Sequence, residues 1–165
     1  MSLFPGELEQ AARLLLEAAR ERRWRIATAE SCTGGLVAGL LTEIAGSSDV
    51  VDRGFVTYSN RAKADLLGVP ADLIADQGAV SEAVARSMAE GAIIRSDAHL
   101  SIAITGVAGP GGGTALKPVG LVHFATACAN GPVRHRAERF GNLGRSEVRL
   151  LAVKTAIEML RERLP

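Results

Sequence analysis

Apolar residues recur every three to four positions between Pro5 and about Arg23, at Leu8, Ala11 or Ala12, Leu15 and Ala18 or Ala19. That spacing predicts a first helix, with Pro5 suited to its first turn and the Arg20–Arg23 run suited to its negative end. The short apolar run Trp24 to Ala27 reads as a strand, and Cys32 or Thr33 to Ile44 as a second helix rich in small residues. Gly46-Ser-Ser48 breaks the chain before a strand at Val50–Tyr58. A short helix follows at Asn60–Leu67, with Asn60 as its expected cap and Gly68 and Pro70 closing it. Ala71–Ile74 adds a turn. Ser81 and Glu82 open a helix whose face is lean: Ala83, Val84, Ser87, Met88, Gly91. Leu100–Thr105 is almost wholly apolar, as a strand covered on both faces is. Val119–Ala127 is another strand, Asn130-Gly131 a hairpin turn, and Val133–Phe140 a weakly patterned edge strand. Arg145–Arg163 is the last helix. Helices and strands alternating in this way, with one hairpin, predict a single α/β domain over residues 1–165, a three-layer α/β/α sandwich on a mixed sheet.

Composition changes this picture little. The chain is 47% hydrophobic and 22% charged, with a net charge of +1. No strong field recruits nucleic acid or a membrane surface, and one Trp and one Tyr make a poor stacking platform. Cys32 and Cys128 are too few for a disulfide framework, so a cytoplasmic setting is expected. The first residues lack a signal-peptide pattern, and no apolar run approaches the ~18–20 residues of a membrane span. His99, His123 and His135 are scattered without metal-binding spacing, so no metal is expected. The small-residue helix faces are compatible with a homodimer.

Two loops leave strand ends. Thr28-Ala-Glu-Ser-Cys-Thr-Gly-Gly35 crowds three hydroxyls into six residues. Ser31 has two readings there, a helix N-cap or a nucleophile. The amides of Cys32, Thr33 and Gly34 at the helix start would suit an oxyanion. Cys32 is a rival nucleophile or a small buried filler. A serine needs a base. No His–Asp pair offers itself, but Lys63 could serve if desolvated; otherwise it is a solvated helix residue. The second loop, Gly106–Gly113 with Gly109, Gly111 and Gly112, lets amides approach an anion, yet matches neither the P-loop nor the dinucleotide pattern. Arg145 opposes the dipole of the helix it opens, which points to a negatively charged partner. Arg53 and Arg61 are weaker candidates.

Five segments together carry a resemblance: the Thr28–Gly35 motif, Gly46-Ser-Ser48, Arg53–Asn60 with Ala62-Lys63, Gly78-Ala-Val-Ser-Glu82, and Thr105–Thr114 with Lys117-Pro-Val-Gly120. In this order they resemble the CinA C-terminal domain family, over about Leu8 to Leu160. The resemblance implies a metal- and cofactor-independent amidohydrolase that converts nicotinamide mononucleotide to nicotinate mononucleotide and ammonia, its partner a small nucleotide substrate. The family's serine and lysine fall on Ser31 and Lys63. Tyr58 and Thr105 fall on positions lining its site, and Arg145 on its basic residue before the last helix. On this reading Lys63 or Tyr58 transfers protons, amides near Cys32 and Thr33 hold the oxyanion, Thr33 and Gly34 lie against the substrate, and the phosphate is held by the Gly109–Gly113 loop, Arg145 and Ser48. Two positions depart from the family: the Asp that precedes its arginine is missing from Gly141-Asn-Leu-Gly-Arg145, and Gln77 stands where relatives carry His. The N-terminal nucleotide-processing domain of two-domain relatives is not expected here. The other class these loops would serve is a non-catalytic nucleotide-binding module.

Overall fold

The computed structural model describes residues 1–165. Its elements are α1 (Gly6–Glu21), β1 (Ile26–Glu30), α2 (Leu36–Glu43), a 3-10 turn at Ser47–Asp49, β2 (Val51–Val56), α3 (Asn60–Leu67), α4 (Ala71–Gln77), α5 (Glu82–Ile94), β3 (Leu100–Gly106), β4 (Leu121–Cys128), β5 (Arg134–Arg139) and α6 (Arg145–Arg161). One five-stranded sheet runs β2-β1-β3-β4-β5. Strands β2, β1 and β3 are parallel, β4 pairs antiparallel with β3, and β5 antiparallel with β4. The sheet is mixed and sandwiched between helices, as the alternation of elements predicts.

The two faces of the sheet differ in bulk. Strand residues alternate sides, and Ile26, Leu100, Ile102, Ile104, Val122 and Phe124 form the large core with α1, α2 and α6. The opposite face carries Ala29, Ala103, Ala125 and Ala127, packed against α5 and the end of α3. Small residues let α5 lie close enough for Ser101 on the sheet to donate from Oγ to the Ala89 carbonyl at 2.7 Å. Close approach recurs between helices: a Cβ on Gly91 of α5 would stand 2.0 Å from the Leu67 carbonyl oxygen of α3.

Three local expectations need correction. Helix α2 begins a turn later than the hydroxyl-rich stretch suggested, because Gly34 and Gly35 take φ of 56° and 98° and hold the chain in a turn. The cap of α3 is Ser59, whose side chain accepts from the Ala62 amide at 3.0 Å; Asn60 is already helical. And α4 is a full helix to Gln77. No helix is long and apolar enough to cross a membrane.

Candidate active site

Because β1 and β3 are parallel neighbours, the loops that follow them emerge at the same sheet edge, where α/β folds bind ligands. Ser31 follows β1 directly, and its amide donates to the Ile104 carbonyl of β3 at 2.9 Å. It does not cap α2. Glu30 does so instead: one carboxylate oxygen accepts from the Val37 amide at 2.9 Å and the other from the Ala38 amide at 3.1 Å. Glu30 is fully buried. Sequence reasoning missed it, since a cap acceptor is sought beside a helix start and this one reaches back seven residues to the end of a strand. Ser31 Oγ takes no helix amide, and the Cys32 and Thr33 amides donate to no carbonyl.

Lys63 comes from α3 on the other side of the sheet. It is 1% exposed, the longest side chain in the molecule so deeply buried. Its Nζ lies 3.1 Å from Ser31 Oγ and 2.9 Å from the Thr57 carbonyl oxygen, to which it donates. Burial lowers its pKa from the ordinary lysine value, opposed only by nearby Cys32. An amine that water cannot solvate favours its neutral form, which has a lone pair to offer a hydroxyl proton. The solvated-lysine reading is thereby excluded.

Cys32 has the opposite character. Burial pushes its thiol up to about 11, outweighing the lowering effect of Arg149 and Lys63, so it is protonated at neutral pH. Its carbonyl and that of Thr33 accept from Arg149 of α6, from Nε at 3.0 Å and Nη2 at 3.2 Å. Arg149 thus straps the turn after β1 to the last helix. The sequence holds one clue to it, a position one helical turn beyond Arg145.

A cleft of about 300 Å³ opens over the pair. Ser31, Cys32, Tyr58, Lys63, Thr105, Gly109, Gly111, Gly112 and Arg145 line it, joined by Asn60, Ala79 and Val80, which the sequence places in the resembling segments but not in the site. Thr105 is buried, and its Oγ1 donates to the Ala79 carbonyl at 2.9 Å, fixing the loop between α4 and α5 as one wall. Lys117 Nζ pins the same wall through the Gln77 carbonyl. In the Gly-rich loop the amides of Ala108, Gly109, Gly111 and Gly112 donate to nothing in the chain. Gly109 is obligatory, with φ 83° and Val119 Cγ1 standing 2.6 Å from where a Cβ would be. Arg145 reaches across from α6: Nη1 donates to the Gly109 carbonyl at 2.8 Å and Nη2 to the Tyr58 hydroxyl at 2.9 Å. The altered stretch before Arg145 therefore does not remove it from the cleft.

Three residues named from the sequence do not line it. Thr33 is wholly buried, and its hydroxyl has no partner. Gly34 is exposed outside the cleft, its Cα beside Arg149. Ser48 lies in the 3-10 turn before β2, at the opposite edge of the sheet within one copy of the chain. The six residues of β2, ~20 Å at about 3.3 Å each, separate it from Thr57. Arg53 pairs with Asp52 and Asp97, and Arg61 with Asp65, so neither faces the cleft as a free cation.

No three His, Cys, Asp or Glu side chains converge as metal ligands. His123 and His135 do meet, Nδ1 to Nε2 at 2.9 Å, on the α5 face of the antiparallel strands. Burial lowers both pKa values from the ordinary histidine value; His135 lowers that of His123 further, and Glu82 opposes the shift at each ring.

A family model described as the CinA C-terminal domain matches residues 8–164. The chain is 48% identical to a CinA-like protein of Synechococcus over 162 residues, 98% of this chain and 39% of that protein. It is 55% identical to a CinA-like protein of Mycobacterium over 139 residues, 84% of this chain and 33% of that one. The chain thus spans about a third of the length of such curated relatives. Among solved structures, the competence/damage inducible protein CihA from Agrobacterium tumefaciens superposes with a TM-score of 0.97 at 57% identity, over 98% of each chain. A CinA superfamily protein from Escherichia coli superposes with a TM-score of 0.90 at 38% identity, over 95% of this chain and 90% of that one.

Proposed function

The chain belongs to the CinA C-terminal domain family, and on that premise we propose that it is an amidase that hydrolyses the carboxamide of nicotinamide mononucleotide to nicotinate mononucleotide and ammonia. The observation that carries this reading is the approach of Lys63 Nζ to 3.1 Å from Ser31 Oγ in a site that excludes water from the amine. A structural serine does not require a buried lysine beside it, whereas a nucleophilic serine requires a base within hydrogen-bond reach.

In this mechanism the neutral Lys63 amine accepts the Ser31 hydroxyl proton as Oγ attacks the carboxamide carbon. The oxyanion that forms is met by the free Cys32 amide. The tetrahedral intermediate collapses by breaking its C–N bond, and the Lys63 ammonium returns the proton to the departing nitrogen, which leaves as ammonia. Water then attacks the acyl-serine with Lys63 again as base, releasing the carboxylate and restoring Ser31. Tyr58 is held by Arg145 at the mouth of the cleft, where its hydroxyl can relay protons to solvent. The free amides of Gly109, Gly111 and Gly112 and the Arg145 guanidinium suit the 5′-phosphate. Anchoring the phosphate there orients the amide for attack, so remote binding energy serves the chemical step.

The test is ammonia release from nicotinamide mononucleotide. Ser31→Ala and Lys63→Ala are each expected to lose at least about 10²-fold in kcat, while Cys32→Ala keeps near-normal turnover. Unchanged turnover in Ser31→Ala would falsify the assignment. If calorimetry instead shows the nucleotide bound without any ammonia, the non-catalytic binding module is the correct class.

A further inference from the structure

Glu30 is a costly residue in its position. A carboxylate is almost never fully buried without a partner cation, yet Glu30 is 0% exposed and forms no salt bridge. Its side chain is satisfied only by the Val37 and Ala38 amides at the positive end of α2. A serine, threonine or asparagine beside the helix start would cap with less desolvation.

The backbone of Glu30 explains what this arrangement achieves. Its carbonyl accepts from the Thr57 amide at 2.8 Å, and the Thr57 carbonyl accepts from Lys63 Nζ. Lys63 Nζ in turn meets Ser31 Oγ, and Ser31 is bonded covalently to Glu30. The contacts close a ring through both members of the pair. Strand alternation sends the Glu30 side chain to the α2 face and that of Ser31 to the face from which Lys63 arrives.

We propose that Glu30 is a positioning residue for the Ser31–Lys63 pair: by capping α2 from the end of β1 it fixes the turn after Ser31 and with it the place of the Ser31 hydroxyl beside Lys63. The proposal rests on the amidase reading for its effect on turnover, but not for its effect on Ser31 itself. Without the carboxylate, the first turn of α2 loses its tie to β1, and of the side-chain anchors on the Ser31–Gly35 turn Arg149 alone remains. The Gly-rich loop and Arg145 are held by other elements, so ligand binding stays intact.

Two variants and two readouts test it. Glu30→Ala removes both acceptors; Glu30→Gln keeps one and turns an NH2 toward the other amide. Turnover of nicotinamide mononucleotide is measured beside the second-order rate at which a small fluorophosphonate labels Ser31, with thermal melting to report the folded fraction. Glu30→Ala is expected to lose about 10²-fold in both kcat and labelling rate, as a misplacement of about 1 Å does, with KM within about threefold. Glu30→Gln is expected to fall between, and it serves alone if Glu30→Ala does not fold. Should the wild type be labelled but release no ammonia, the amidase reading fails; a labelling loss in the variants still supports the positioning role. Folded variants that are labelled at the wild-type rate overturn it, as does a labelling loss no larger than the loss of folded fraction.

Discussion

Lys63 shows how one residue can serve chemistry at the expense of stability. Burial lowers its pKa, so the folded chain binds a proton there less readily than the unfolded chain does. Between the ordinary lysine value of 10.5 and the lowered one, the unfolded state holds more protons. Stability from this group is therefore highest above 10.5 and falls as pH drops through the folded value. Lys63→Met fills a similar volume without that cost. It is expected to abolish ammonia release and to be more stable relative to wild type at pH 7 than at pH 10. The orphaned Thr57 carbonyl costs about 1 kcal/mol at either pH, so the pH trend is the diagnostic quantity. Equal differences in denaturation midpoint at both values would show that Lys63 stays charged in the fold. None of this could be read from the sequence around Lys63, because that helix is polar locally and the burial comes from its reach to Ser31 after β1 and Thr57 after β2. Ser31 is equally ambiguous: strand alternation turns it toward Lys63 while Glu30 takes the helix amides, contacts visible only once strand and helix are in place.

At the level of elements, the position of Lys63 depends on how closely α3 lies on α5. The contact point is Gly91, where a Cβ would stand 2.0 Å from the Leu67 carbonyl oxygen. A carbonyl in the last turn of a helix cannot swing aside as a side-chain tip can, so Gly91→Ala must push α3 outward. Lys63 sits one turn before Leu67 on that helix. Overpacking of this kind costs about 1–3 kcal/mol, and retreat of the amine by about 1 Å costs about 10²-fold in turnover. A lowered melting temperature together with a lowered kcat is the expected pair of results; a variant that loses neither would mean that α3 is not set by this contact. The elements themselves were largely legible, since period and breakers mark both layers of helices and the apolar β3. The start of α2 was not: Gly34 and Gly35 extend the turn, and the hydroxyls of Ser31 and Thr33 mimic a cap that Glu30 supplies. For α3 the true cap, Ser59, stood one residue ahead of the equally suitable Asn60.

Over the whole molecule, the mixed sheet decides which residues meet. Its parallel half brings the turn after β1 and the Gly-rich loop after β3 to one edge, and the last helix closes over both through Arg145, 87 residues from Tyr58 and 36 from Gly109. The same direction of β2 that delivers Tyr58 there leaves Ser48 at the other end, a consequence of topology that residue type could not reveal. The antiparallel half places His123 and His135 face to face, where one ring must donate and the other accept. Burial holds both below the ordinary histidine value; Lys117, Arg139 and Arg86 add to this, while Glu82 opposes it for each ring. The unfolded chain thus takes up protons near 6.5 that the folded chain resists. Stability is full above that value and is lost as pH falls through the lower folded values. Each ring contributes at most about 1.4 kcal/mol per pH unit, less where solvent screens the partly exposed edge strand. Urea denaturation of the wild type is therefore expected to weaken more steeply between pH 7 and pH 5 than that of a His123→Gln/His135→Gln double variant. Glu82, whose carboxyl is held below 4.5 first by Arg86 and then by both rings, keeps Arg86 in either protein and titrates below this window, so the difference in slope isolates the pair, and superimposable pH profiles would mean that the two rings protonate in the fold as freely as in the unfolded chain.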